Sequence, residues 1–282
     1  NKEALHHFNV SLNLIRGENP VDLLHKSFRK ISKAKMDHDI EQFEYLATSG
    51  YEVQRFEALA KLYKSVSLEI NWSLDTALLD LGNEHQKLLK DTYNRPIHLL
   101  DAPELEGSVL SSALDIAKIT EDYFNHDFGA TYFDDFLNPI ALESLRKFLL
   151  GSTIWFDLFH TGGYLGAFLR DGLACPLILQ IADDLRKSFP KIFKGHPLNQ
   201  LWAFKYDSRA HNEDNPLTGI GAHADFAAVN VNFWVTPKTA NLNASSGGLV
   251  IYHTEAPLEW DFKTYNTDDN KLLNHIAESS NE

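Results

Sequence analysis

The distribution of proline constrains this chain more than any other feature of its sequence. Pro20 is the one proline before Pro96, and the other nine of the ten come at or after that position. Proline removes a backbone donor and breaks helix interiors, so the first 90 residues can be helical while the remainder is punctuated. Periodicity agrees with this. Leu23, Leu24, Phe28 and Ile31 recur at helical spacing, as do Phe56, Leu59, Ala60 and Tyr63, and Gly50 is a plausible break between two helices. Helix pairs of this size suit tetratricopeptide-like units of about 30–35 residues. A plain helical layer packed on the following domain explains the pattern equally well.

Residues 91–128 read as a connecting segment, because Asn94-Arg95-Pro96 and Ala102-Pro103 mark extended or turn backbone. From residue 129 the texture changes. Thr131-Tyr132-Phe133 is β-prone. Asn138-Pro139 then opens a helix, with asparagine as cap and proline at the first helical position, and Leu142, Leu145, Phe148 and Leu149 form its apolar stripe. Residues 153–159 and 163–169 are aromatic and strand-like. Pro176 starts a helix that turns Leu177, Ile181 and Leu185 inward and Asp183, Asp184, Arg186 and Lys187 to water. Strands are expected at Leu201–Tyr206, Ala222–Thr236 and Leu249–Tyr252, and a polar helix over Asp268–Ala277. A helical region followed by mostly antiparallel β structure with flanking helices is an α+β architecture.

Composition closes off several classes. With 44% hydrophobic residues the chain has ample material for a core. A formal net charge of -13 argues against a nucleic-acid-binding surface. No run approaches the roughly 18–20 apolar residues of a membrane span. The single cysteine, Cys175, cannot form an internal disulfide, which points to a reducing, cytoplasmic compartment. Its place before Pro176 in an apolar stretch reads as a buried small residue rather than a nucleophile. The sequence carries no signal for an oligomeric state.

The chemistry concentrates at His223-Ala224-Asp225. On a strand, residues two apart point to one face, and a 2-His-1-carboxylate face with open positions is how non-haem Fe(II) oxygenases hold iron. The triplet alone is weak: 13 His and 39 acidic residues in 282 give about two such triplets by chance, and three occur. His211-Asn212-Glu213 lies in a polar loop, and His253-Thr254-Glu255 runs into a turn at Ala256-Pro257. The middle triplet sits in an apolar stretch in which His223, Asp225, Ala227, Val229, Val231 and Phe233 share one strand face. An unpaired histidine and aspartate there are costly to bury. Either a metal or a dedicated His–Asp hydrogen-bond pair makes the burial acceptable.

Four segments together resemble the Fe(II)- and 2-oxoglutarate-dependent dioxygenases of the prolyl-4-hydroxylase-like superfamily. They are Tyr132–Leu137, Gln200–Tyr206, Gly221–Asp225 and Gly247–Tyr252, and they carry the resemblance across roughly the last 150 residues. It implies an N-terminal helical region followed by a double-stranded β-helix (jelly-roll) core flanked by helices. The corresponding units are 1–90, the connection 91–128 and the dioxygenase-like domain 129–282. It implies His223 and Asp225 as the proximal iron ligands, with Tyr206 and an amide from Asn230 or Asn232 facing the co-substrate. It implies Fe(II), 2-oxoglutarate and ascorbate as cofactors. The reaction would be hydroxylation of a C–H bond, on a prolyl or other side chain of a protein or peptide, coupled to decarboxylation of 2-oxoglutarate to succinate.

The sequence departs from that pattern at the far end of the site. The family places a third ligand, a histidine, on a late strand, followed about ten residues later by an arginine or lysine that pairs the co-substrate. After Asp225 the histidines are His253 and His275, and the cations are Lys238, Lys263 and Lys271. The expectation is therefore of a barrel whose last strands lie beyond these residues, with poor iron and 2-oxoglutarate binding and little turnover by the 282 residues themselves. The competing expectation is a non-catalytic module, helical repeat plus jelly roll, derived from such an enzyme.

Overall fold

A computed structural model of the chain describes residues 2–22, 24–73, 77–159, 164–206, 222–225, 227–241, 248–261, 263–267 and 269–279. The chain opens with α1 (Lys2–Arg16). The apolar stripe expected next does not form a helix over 24–31, and its first member, Leu23, lies outside the described residues. A 3-10 turn at Lys26–Phe28 leads into β1 (Lys30–Ile31), which pairs antiparallel with β2 (Leu79–Asp80). The stripe fails because its residues do not share a face: Leu24 is exposed while Ile31 is fully buried.

The helical hairpin expected around Gly50 forms. The Ser32 hydroxyl accepts a hydrogen bond from the Lys35 amide and caps α2 (Lys33–Thr48). Gly50 takes a φ of 86°, which glycine reaches without a Cβ clash, and α3 (Val53–Glu69) returns along α2. Phe56, Ala60 and Tyr63 turn inward as the periodicity requires. With Met36, Phe43, Leu46 and Leu89 of α4 (Asn83–Leu89) they form a first hydrophobic cluster.

A second cluster gathers the centre of the chain. It contains α5 (Ile116–Asn125), α6 (Pro139–Gly151), α7 (Pro176–Ser188) and α8 (Pro190–Phe193). The Asn138 carboxamide accepts from the Ala141 amide at 2.9 Å, the cap that Asn138-Pro139 calls for. β3 (Leu165–Phe168) pairs antiparallel with β4 (Trp202–Lys205), in register from Leu165↔Lys205 to Phe168↔Trp202. Gly166 also bridges Asp157, and a Cβ on it would come within 3.4 Å of Phe168, Asp157 and Phe204. Leu12 of α1 belongs to this second cluster, as do Ala102 and Val109. The N-terminal 90 residues are thus shared between both clusters. The chain ends with α9 (Thr264–Thr267) and α10 (Asp269–Ser279).

The architecture is α+β, 48% helical and 6% strand. Strand pairing among the described residues is confined to two small two-stranded sheets. The strands expected over 131–133, 222–236 and 249–252 do not pair there. Residues 249–252 are exposed along their length, so nothing backs them. A strand needs a neighbouring backbone to satisfy its polar groups. Residues 227–235 instead lie against α6 and the segment before it, with Phe233 beside Phe136 (5.0 Å between centroids) and the Arg146 Nε donating to the Val235 carbonyl.

Between the clusters runs a buried polar seam. Arg16, at the end of α1, pairs with Asp171 (3.2 Å), donates to the Ser27 hydroxyl (3.3 Å) and to the Asn94 carbonyl (3.5 Å), and lies 4.4 Å over the Phe156 ring. Arg95 returns a hydrogen bond to the Arg16 carbonyl (3.3 Å). On α2, Lys35 pairs with Asp39, and the Asp39 carboxylate also meets His38 Nδ1 at 3.1 Å. Gln42 donates to the Ser152 carbonyl at 2.8 Å. Burial alone pushes Asp39 up, but the Lys35 charge and the His38 hydrogen bond outweigh it and hold the carboxyl below its ordinary value. His38 moves the other way. Burial, with Lys205 adding to it, lowers its pKa to about 3 against the pull of Asp39.

Two predictions follow from the seam. Asp171→Ala leaves Arg16 buried without its counter-ion and should cost about 3–5 kcal/mol, read as a loss of urea-unfolding free energy. The double variant Arg16→Met/Asp171→Leu should recover much of that loss. Between pH 6.5 and about 3 the unfolded chain protonates His38 and the folded chain does not. The stability held by the neutral ring is thus complete above pH 6.5 and is lost as pH falls toward 3, at up to about 1.4 kcal/mol per pH unit. His38→Phe should flatten urea midpoints measured across that window; an unchanged slope would exclude His38 as its source.

Candidate functional site

His223 and Asp225 are brought together, in a setting different from the expected one. His223 Nε2 lies 3.8 Å from Asp225 Oδ1, and both side chains are partly open to solvent, 44% and 27% exposed. The buried strand expected over Ala222–Thr236 is thereby corrected: among the described residues no strand flanks the pair, and both side chains are partly exposed. The Asp225 carbonyl accepts from the Ala227 amide at 2.9 Å, which turns the chain just after the triplet.

The residue between them is held from outside. Asn266, on α9, accepts from the Ala224 amide through Oδ1 (3.1 Å) and donates through Nδ2 to the Ala224 carbonyl (3.1 Å). Asp261 starts α9 by accepting from both the Thr264 amide (2.7 Å) and its hydroxyl (2.6 Å), which hold its carboxyl below the usual range. α10 closes against the same segment. His275 Nε2 meets the Glu255 carbonyl at 2.9 Å, its ring sits 5.2 Å from Trp260, and Lys271 lies 4.6 Å over the Trp260 ring.

The remaining site residues are dispersed. Tyr206 follows β4 and is exposed, as are Asn230 and Asn232. His253 packs its ring on Phe128 (4.5 Å) near His126 (6.2 Å). Neither it nor His275 joins His223 and Asp225: among the described residues, no group of three or more His, Cys, Asp or Glu side chains could hold a metal ion. His211-Asn212-Glu213 and Gly247 lie outside the described residues.

The donor types suit one cation as a pair. Two bonds of about 2.0–2.2 Å at a right angle set their donors about 3 Å apart, so the pair at 3.8 Å would close by roughly 1 Å to share an ion. A neutral imidazole and a carboxylate are the nitrogen–oxygen combination that a borderline divalent ion accepts. Sequence reading passed over Asn266. Its sequence setting, Tyr265-Asn266, has no period or spacing that ties it to residue 224. The Lys35–Asp39 pair was visible as an i,i+4 spacing, which ordinarily marks a solvated helix face.

No protein-family model, no curated protein and no solved structure matches the chain.

Cys175 takes no part in this chemistry. Burial pushes its thiol up to about 11, and it is covered at the start of α7. A thiol reagent such as a disulfide dye should label the native protein at pH 8 only as fast as the protein opens, and urea should expose one equivalent at once. Rapid labelling without urea would contradict this placement.

Proposed function

We propose that this chain carries part of an Fe(II)- and 2-oxoglutarate-dependent dioxygenase centre, in which His223 and Asp225 are the proximal ligand pair. The supporting observation is the pair itself: an imidazole nitrogen and a carboxylate oxygen 3.8 Å apart, on a backbone gripped at the intervening residue. When bound, the iron supplies the oxidative chemistry that couples 2-oxoglutarate decarboxylation to hydroxylation of a C–H bond. The protein's part is narrower. His223 would offer an imidazole nitrogen and Asp225 a carboxylate oxygen, and the Asn266 clamp keeps the two on one side. Tyr206 and Asn232 are assigned to the co-substrate, and the substrate to a prolyl or other side chain of a protein or peptide, in a cytoplasmic setting. The double-stranded β-helix belongs to the same reading, with β3 and β4 as its nearest regular elements.

A second reading has its own observation. Leu249, Val250, Ile251 and Tyr252 form an exposed apolar run, which suits a non-catalytic interaction module derived from the same fold.

Metal binding separates the readings more cleanly than turnover. In a titration with Co(II) as a spectroscopic stand-in for Fe(II), His223→Ala and Asp225→Ala should each weaken binding by at least about tenfold, since losing even an outer partner of a ligand costs about 10–100-fold. Succinate release from 2-oxoglutarate with Fe(II) and O2 should fall to background in both variants. Equal Co(II) affinity in the three proteins would remove the pair from any metal site and favour the interaction module.

A further inference from the structure

We infer that Asn266 is the positioning residue of the His223–Asp225 pair, acting through the backbone of Ala224 as a substitute for a neighbouring strand. This inference assumes the metal reading of the pair given above.

The physical case starts from the triplet. Whether the side chains of residues 223 and 225 point to one side depends on the two peptide planes that flank residue 224. In a sheet those planes are fixed because a partner strand takes both the N–H and the C=O of the residue between them. Among the described residues of 222–236 no strand does so. The Asn266 carboxamide makes the same two bonds. Its oxygen accepts from the Ala224 N–H, which belongs to the peptide joining His223, and its nitrogen donates to the Ala224 C=O, which belongs to the peptide joining Asp225. A carboxamide is the side-chain group that presents one donor and one acceptor side by side, as the backbone does. The two bonds also settle which end of the amide is which, since a flipped group would set donor against donor and acceptor against acceptor.

The clamp reaches across 42 positions and has its own support. α9 is anchored at its start by Asp261, and the following helix is pinned by His275 to the Glu255 carbonyl and packed on Trp260. Asn266 is therefore held from both sides of its short helix, and the order it has is passed to the triplet. The role is indirect, since Asn266 contacts the backbone between the two donors and is assigned no contact with the metal.

The test is a set of Co(II) titrations on the full chain, reading both the dissociation constant and the visible absorption band, whose shape reports ligand geometry. Asn266→Leu keeps the bulk and removes both hydrogen bonds. It should raise the Co(II) dissociation constant about tenfold, as losing the support of a ligand does, and alter the band. Asn266→Gln carries the same donor and acceptor and should restore most of the affinity and the wild-type band, which a merely bulk-filling role would not require. If Asn266→Leu binds Co(II) with wild-type affinity and spectrum while His223→Ala does not, the positioning role is wrong and the metal reading stands. If Asn266→Gln behaves as Asn266→Leu does, hydrogen bonding to Ala224 is not the cause and the inference fails. If His223→Ala itself binds Co(II) as wild type does, the metal reading fails and takes this inference with it.

Discussion

Arg16 holds the two halves of this molecule in register. It sits at the last position of α1, yet it reaches Asp171, Ser27 and the Asn94 carbonyl, three points far apart in the chain. A guanidinium is suited to this because it spreads several fixed donors and stacks on a ring, here that of Phe156. Burying such a charge is expensive. Attraction to Asp171 in a low dielectric offsets much of the cost, provided the pair stays intact. Gln42 of α2 adds a second tie across the seam by donating to the Leu150 and Ser152 carbonyls. Apolar surfaces could slide past one another with modest loss, whereas these contacts form in one alignment. The seam therefore contributes specificity of docking between the clusters more than it contributes net stability.

That alignment carries through to the edge of the candidate site. Lys205, at the end of β4, lies 5.9 Å from the Trp155 ring, and Trp155 packs edge-on against His38 at 6.2 Å. β4 is thus set by β3 on one side and by the helical seam on the other. Tyr206 is the next residue. From residue 222 onward the kind of organisation changes. The apolar side chains of the final segments are largely exposed, and their order comes from a few contacts: Phe233 on Phe136, His253 on Phe128, the Trp260–His275 pair and the Asn266 amide. Continuous cores position the first part of the molecule, and single pairwise contacts position the second.

The sequence was readable where a feature depends on residues within about four positions. The Asn138 cap, the Pro139 and Pro176 helix starts, the Gly50 break and the inward face of α3 all formed as expected. Reading failed where the outcome depends on a distant partner. Lys35 and Asp39 have the spacing of an ordinary exposed pair, and it is residues distant in the chain, Tyr93 to Ile97 and Thr153 to Phe156, that surround them. Arg16 and Asp171 are separated by 155 positions, and neither carries a local mark of the other. The strand expected over 222–236 had the right alternation, but alternation specifies a face and not a neighbour. Where backbone partners are not in place, the same residues follow the surface of α6 instead.

This changes the ground on which His223 and Asp225 draw attention. In a covered strand, the cost of burying two polar groups would itself demand a metal or a partner. Both side chains are partly open to solvent, 44% and 27% exposed, so burial alone no longer argues for an ion. What remains is order. A histidine and an aspartate two residues apart keep a shared side more readily when the backbone between them is restrained. Asn266 supplies that restraint at both peptides at once, from a helix anchored independently. A fixed orientation of this kind suits two side chains that must meet one ligand.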